Sequence, residues 1–258
     1  MDSRIRTKIP SRRQRMHPLW KHGSTPVVGL IGGIGSGKSL VAAFLGEQGA
    51  FVLDADKVGH TLLNQRPVRD EVISRFGSKI LTVTDESPEE PLIDRRALGA
   101  IVFSDPSARL DLEAIVHPRM RRTFEKAIAR VVRQGKAKAV VLDAAILFEA
   151  GWQSLCDRVV YVDSPRDQRL ARLAAQRGWT AEILAAREQA QWPAEKKMAL
   201  ADAIVQNDNG IDMLESHLLV LWSWLVSSAS TPVPGQFRAE RHGPDPPSNE
   251  SLPSPKLS

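Results

Sequence analysis

The residues of clearest chemical meaning in this chain are consecutive: Gly32-Gly33-Ile34-Gly35-Ser36-Gly37-Lys38-Ser39, which satisfies G-x-x-x-x-G-K-[ST]. A β-branched run stands immediately before the octet and a helical pattern begins within it, which is the context this spacing requires. A polyphosphate carrying several negative charges must meet a row of convergent backbone N–H donors. Glycine permits both the backbone angles and the close approach, and the N-terminus of the following helix adds the positive end of its dipole. Gly33, Ile34, Gly35, Ser36, Gly37, Lys38 and Ser39 are therefore assigned to nucleoside triphosphate binding. In this assignment Lys38 reaches the β- and γ-phosphates and the Ser39 hydroxyl is a ligand for Mg²⁺. The plain alternative is a Gly-rich strand–helix turn that happens to contain Lys-Ser. The full octet in its context weighs against that, but the loop alone does not distinguish a kinase from a GTPase or a motor.

Residues beyond the loop narrow the choice. No Asn-Lys-x-Asp sequence is present to read guanine, and the length and carboxylate pattern of a motor ATPase are lacking. Instead Asp54 and Asp56 end a short apolar run about fifteen residues past Ser39. In a parallel sheet the strand C-termini line the ligand crevice. Two carboxylates there could orient an acceptor hydroxyl, take its proton and hold a metal-bound water. Asp143 ends the later run Val140-Val141-Leu142 and is a second candidate metal ligand beside Ser39, although strands often end in Asp simply as a turn residue. Phosphoryl transfer also needs fixed positive charge around the phosphates. Arg166, Arg169, Arg172 and Arg177 come after Pro165, and Arg187 lies further on. Arg169 and Arg172, three apart, share one helix face. An Arg-rich helical pair is what the closing lid of a small kinase looks like, while a solvated basic face is the bland reading for any one of them.

The elements that must position these groups alternate between short β-branched runs and longer helical stretches, which implies an α/β fold with a parallel sheet covered by helices. Strands are expected at 27–31, 51–53, 139–142, 158–162 and 203–206, and a helix from Lys38 to about Gln48. The region from about 58 to 133 shows no strand rhythm and is expected to be a helical substrate-side insertion, with Pro118 in the first turn of a long helix. Ser164 is expected to cap the helix that starts at Pro165, Gly178 to end it, and Thr180 to cap the next, giving a helical lid over about 165–200. Apolar residues at helical spacing over 214–226 predict a closing helix whose Trp residues belong to the core or its rim.

Composition bounds the function classes. The chain has 258 residues, 42% of them hydrophobic and 25% charged, as in a soluble globular protein. The only cysteine is Cys156, so there is no intrachain disulfide and no Cys-rich metal site, in keeping with a cytoplasmic protein. The net charge of +5 comes from one end: residues 1–26 carry seven Lys/Arg against one acid, and residues 227–258 balance at three and three. The part between is close to neutral, so no electrostatic case for nucleic acid remains. No apolar run is long enough to span a membrane. Residues 1–26 read as a disordered basic arm, with a transit peptide or a translation start at Met16 as other readings, and residues 227–258 as a disordered Pro/Ser-rich tail.

Together the residues resemble the dephospho-CoA kinase family over about 27–226. The resemblance is carried by Gly29-Leu30-Ile31 and the octet, Asp54-Ala55-Asp56, His117-Pro118 and Asp143-Ala144-Ala145-Ile146-Leu147-Phe148-Glu149. It continues through the Arg-rich segment, Gln191, Ala201-Asp202, Asn207 and Gly210. It implies a P-loop core, a helical CoA-side insertion and a lid. The implied reaction is transfer of phosphate from ATP to the ribose 3′-hydroxyl of dephospho-CoA, the last step of coenzyme A biosynthesis, with Mg²⁺ and no partner beyond the two substrates, by a monomer or weak homo-oligomer. Carried over by position, Asp56 is the general base, Lys38 and Arg172 stabilise the transferred group, and Arg169, Arg177, Asn207 and the backbone of Leu40 serve ATP. Asp54, His117, Leu147 and Glu149 fall on the substrate side. The chain departs from the family pattern at Leu40, where Thr is usual, at Ala145, where Pro is usual, and at Gln176-Arg177-Gly178, where Arg-Asp-Gly is common. Two other readings remain at this point, a P-loop kinase for a nucleoside, nucleotide or small acid, and a non-catalytic nucleotide-binding module.

Overall fold

The structure, a computed structural model, describes residues 20–84, 87–208, 211–228 and 231–237. The chain begins with β1 (Val27–Gly32), passes through the glycine loop into α1 (Lys38–Glu47), and returns in β2 (Ala50–Asp54). The insertion comprises α2 (Ala55–Leu63), α3 (Arg66–Phe76), β3 (Leu81–Thr84), β4 (Ser87–Ile93), α4 (Arg95–Ser104) and the long α5 (Pro106–Gln134). Then come β5 (Ala139–Asp143), β6 (Arg158–Asp163), α6 (Arg166–Arg177), α7 (Ala181–Gln189), α8 (Ala194–Leu200), β7 (Ala203–Gln206) and α9 (Ile211–Val226).

Five strands form one parallel sheet in the order β2-β5-β1-β6-β7. The strands read as unbroken apolar runs because both faces are covered. Along β1 the side chains alternate between two cores. Val27 and Ile31 join the cluster that contains the insertion residues Val72, Met120 and Phe124, whereas Val28 and Leu30 join Val41, Leu45, Leu218 and Leu221 of α1 and α9. The insertion therefore shares its core with the sheet. Register sets the chemistry: β2 and β5 pair with Asp54 opposite Asp143, so both carboxylates end at the same rim.

The structure departs from the sequence expectations in five places. The insertion is not purely helical, since β3 and β4 form an antiparallel ribbon with Leu81 opposite Ile93. Pro88 and Pro91 hid it, and prolines are tolerated in a two-stranded ribbon because every strand has a free edge. Pro118 lies inside α5. That helix starts at Pro106, capped by Asp105, whose side chain accepts from Ser107 N at 2.8 Å. The buried stripe Ile115, Val116, Met120 and Phe124 carries the helix through the proline. Ser164 is not the cap of α6; Pro165 occupies that position and the Ser164 hydroxyl accepts from Arg172 instead.

Both boundaries of the packed chain also lie further out than expected. Trp20 is buried, its ring 4.8 Å from the Arg158 guanidinium, and Lys21 N donates to Asp157 at 2.8 Å. At the other end Phe237 is 2% exposed and Trp224 Nε1 donates to Thr231 O at 3.2 Å. Arg158, at the start of β6, is clasped between the Trp20 and Trp224 rings, the second at 4.0 Å, and donates to the carbonyl oxygens of Trp224 and Ser228. Residues 1–19 and 238–258 lie outside the described residues, so the expected arm and tail are not addressed there. Among the described residues no helix is long and apolar enough to cross a membrane.

Candidate active site

Side chains at the strand C-termini converge on one cleft of about 530 Å³. It is lined by the loop from Gly32 to Leu40, by Asp56, Met120 and Trp152, and by Arg172, Arg177, Trp179 and Arg187. The loop is held in shape from behind. Gly37 adopts φ +89, and a Cβ there would collide with Asn207 Nδ2, so glycine is required twice over. Asn207 Nδ2 donates to Ser36 O at 2.8 Å, while the Asn207 carbonyl accepts from Arg172 at 3.1 Å. The Ser36 hydroxyl is buried without a hydrogen-bond partner among the described residues.

Lys38 extends across the loop and its ammonium donates to the Asp143 carboxylate. Burial pushes the Asp143 carboxyl above the usual range; Lys38 opposes this, and the nearby Asp54 and Asp56 charges add to it. A second hollow, lined by Ser39, Asp54, Lys57 and Asp143, adjoins the cleft. Asp54 caps α2, its side chain accepting from Lys57 N at 3.0 Å, which leaves Asp56 in the first turn of that helix. Among the described residues no cluster of three or more His, Cys, Asp or Glu forms a cage for a metal. The donors around the second hollow are nonetheless all hard oxygens, and Mg²⁺ is held by one or two carboxylates together with substrate phosphates rather than by an all-protein cage. Ser39, Asp143 and Asp54 fit that ion, and the desolvated carboxyl of Asp143 would be relieved by it.

Of the helices after β6, α6 docks on this loop. Arg169 donates to Ile34 O and Ser164 O, both at 3.1 Å, and pairs with Glu188 at 2.6 Å, so its Nε and Nη1 donors are taken up inside the protein. Arg166 also faces Glu188, at 3.4 Å. Arg172 donates to Ser164 Oγ at 3.0 Å and approaches Gly35 O at 3.4 Å, with no carboxylate beside it among the described residues.

Of the expected residues, Lys38, Ser39, Leu40, Asp56, Arg172, Arg177 and the loop from Gly33 to Gly37 line the cleft, with Asp54 and Asp143 in the adjoining hollow. Five are placed differently. Leu147 has no exposed surface and packs beneath Gly29, so it cannot touch a substrate. Asn207 holds the loop rather than lining the cleft, and Arg169 faces a smaller hollow behind Gly33. Glu149 also lies outside the cleft, accepting from Trp192 N at 2.9 Å and pairing with Lys197 at 2.7 Å. His117 stands one side chain back, its ring edge-on to Trp152 at 5.1 Å, and burial lowers its pKa while Glu113 raises it.

Two groups escaped the sequence reading. Lys197, its side chain 3% exposed, also donates to Ala145 O at 2.8 Å and Gln191 Oε1 at 3.1 Å. It thereby ties the return of the lid to the segment after Asp143, and Phe148 stacks on Trp192 beside it at 6.4 Å. The four-residue spacing of Lys197 from Ala201-Asp202 carries no signal of this partner 48 residues upstream. The other is Trp179, which lines the cleft.

Comparison with known proteins accords with this geometry. The dephospho-CoA kinase family profile matches residues 26–213. The chain is 37% identical over 203 residues to a dephospho-CoA kinase of Carboxydothermus hydrogenoformans, covering 77% of this chain and 95% of that protein. It is 44% identical over 181 residues to one from a Synechococcus species, covering 70% and 84%. Among solved structures, TT1252 from Thermus thermophilus superposes with a TM-score of 0.65 at 33% identity, covering 78% of this chain and 98% of that one. The dephospho-CoA kinase of Campylobacter jejuni gives 0.58 at 25%, covering 78% and 96%.

Proposed function

The chain belongs to the dephospho-CoA kinase family, and from that premise we propose that it transfers the γ-phosphoryl group of ATP to the ribose 3′-hydroxyl of dephospho-CoA. The products are CoA and ADP. The observation that supports the reading best is that Asp56 and the phosphate-binding loop line a single cleft. A donor phosphate seated on the loop and an acceptor hydroxyl beside Asp56 would thus share one enclosed space.

In the proposed reaction the hydroxyl oxygen attacks the γ-phosphorus, the bond from that phosphorus to the β–γ bridging oxygen breaks, and the hydroxyl proton passes to the Asp56 carboxylate. Lys38 is held at the loop by Asp143 before ATP arrives and then meets the β- and γ-phosphates. Arg172 supplies fixed positive charge without reorganisation. Mg²⁺, bound by Ser39 and Asp143, would neutralise charge on the β- and γ-oxygens. Asp54 caps the helix that carries Asp56 and so fixes where the base stands. The long α5 and Trp152 form the acceptor side, with His117 supporting Trp152.

The deciding experiment measures Mg²⁺-dependent ADP release with dephospho-CoA, and with adenosine, AMP and shikimate as control acceptors. Turnover confined to dephospho-CoA is the expected result. Equal turnover with a control acceptor would return the chain to the wider class of P-loop metabolite kinases. ATP binding without acceptor-dependent turnover would instead support a nucleotide-binding module.

A further inference from the structure

The arginines around the cleft differ in what their guanidinium groups are doing. Arg166 and Arg169 are spent on Glu188. Arg172 is spent partly on carbonyl oxygens. Arg177 and Arg187 show no hydrogen bond or carboxylate among the described residues, yet both line the same cleft as the loop. Both are held by one side chain: the Arg177 guanidinium lies 5.4 Å from the Trp179 ring and that of Arg187 lies 4.5 Å from it. Phe103, from α4, takes a further side of Arg187 at 5.8 Å.

We propose that Trp179 is a positioning residue that presents Arg177 and Arg187 to the phosphates of the bound substrates. A guanidinium held against an aromatic ring is attracted through the ring's quadrupole, and its N–H donors stay free for a ligand. A carboxylate partner would consume the donors that a phosphate needs, as Glu188 does for Arg169. A solvated arginine would keep its donors but lose rotamer freedom on binding. The indole avoids both costs, and it brings two like charges to one wall, where an incoming polyphosphate relieves their repulsion. The proposal rests on the reading of the cleft as a phosphoryl-transfer site. It assigns a role to the residue that follows Gln176-Arg177-Gly178, where this chain departs from the family's usual lid sequence.

Three substitutions separate the role from mere packing. Trp179→Ala and Trp179→Leu both remove the ring, the second keeping apolar bulk, whereas Trp179→Phe keeps an aromatic face. Affinity for inorganic tripolyphosphate, measured by calorimetry, and KM for ATP are each expected to weaken roughly tenfold in the Ala and Leu variants. Trp179→Phe should recover most of that loss, with thermal midpoints of all three close to the parent. Salt should narrow the gap between Leu and Phe. If Leu binds tripolyphosphate as well as Phe does, the ring is only filling space and the proposal fails. Parent-like binding by Ala would overturn it equally. The calorimetry does not depend on turnover, so absence of kinase activity with dephospho-CoA would sink the functional reading while the tripolyphosphate comparison still decided the role of Trp179.

Discussion

At the scale of single residues, Lys38 and Asp56 serve different stages and should separate in kinetics. Asp56→Asn keeps the shape of the cleft but cannot take the proton, so kcat is expected to fall on the order of 10²–10⁴-fold with ATP affinity retained. Lys38→Ala should weaken both ATP binding and turnover, because its charge meets the phosphates before and during transfer. Steady-state kinetics beside equilibrium ATP binding would show the contrast; an Asp56→Asn rate within a few-fold of the parent would remove Asp56 as the base. His117 supplies a pH test of stability. Burial is the main cause of its lowered pKa, so the folded protein favours the neutral ring. That contribution is fully present above about 6.5, the ordinary histidine value, and is lost as pH falls through the folded value. The parent should therefore lose more stability between pH 7.5 and pH 5 than His117→Gln does, as read from denaturant midpoints at the two pH values.

At the scale of elements, the parallel strands and the glycine loop were legible in the sequence because their causes are local. A strand buried on both faces is an unbroken apolar run, and Gly32 to Ser39 carries its own backbone requirement. The ribbon of β3 and β4 was hidden by Pro88 and Pro91, and the course of α5 was misjudged at Pro118 because an apolar stripe far longer than one turn overrides a local breaker. Glu149 was found, but its partner Lys197 was not, since nothing in sequence announces a pair separated by 48 residues. Lys197→Met would strand the half-buried Glu149 carboxylate, whose buried Oε2 has no partner among the described residues, and is expected to cost about 3 kcal/mol. Replacing both residues, as Lys197→Met with Glu149→Leu, should cost clearly less. Urea unfolding of the single and double variants tests this, and equal losses would mean that Lys197 contributes through packing alone.

For the molecule as a whole, packed residues reach out to Trp20 and Phe237, a span wider than periodicity suggested because isolated Trp and Phe anchors have no period to detect. Ending the chain at residue 230 should destabilise it by about 3–5 kcal/mol through loss of the Phe237 side chain from its site, whereas ending it after residue 237 should leave the thermal midpoint unchanged. Calorimetry on the two truncations distinguishes a packed terminus from a dispensable one. The clasp of Trp20 and Trp224 on Arg158 sits where β6 begins, and the cleft sits where the parallel strands end. The two flanks of the catalytic fold are thus fastened at the pole farthest from its substrates. Sequence grafted ahead of Trp20, by natural drift or by an engineer attaching a reporter or a tether, joins the fold at that pole, away from the traffic of nucleotide and acceptor.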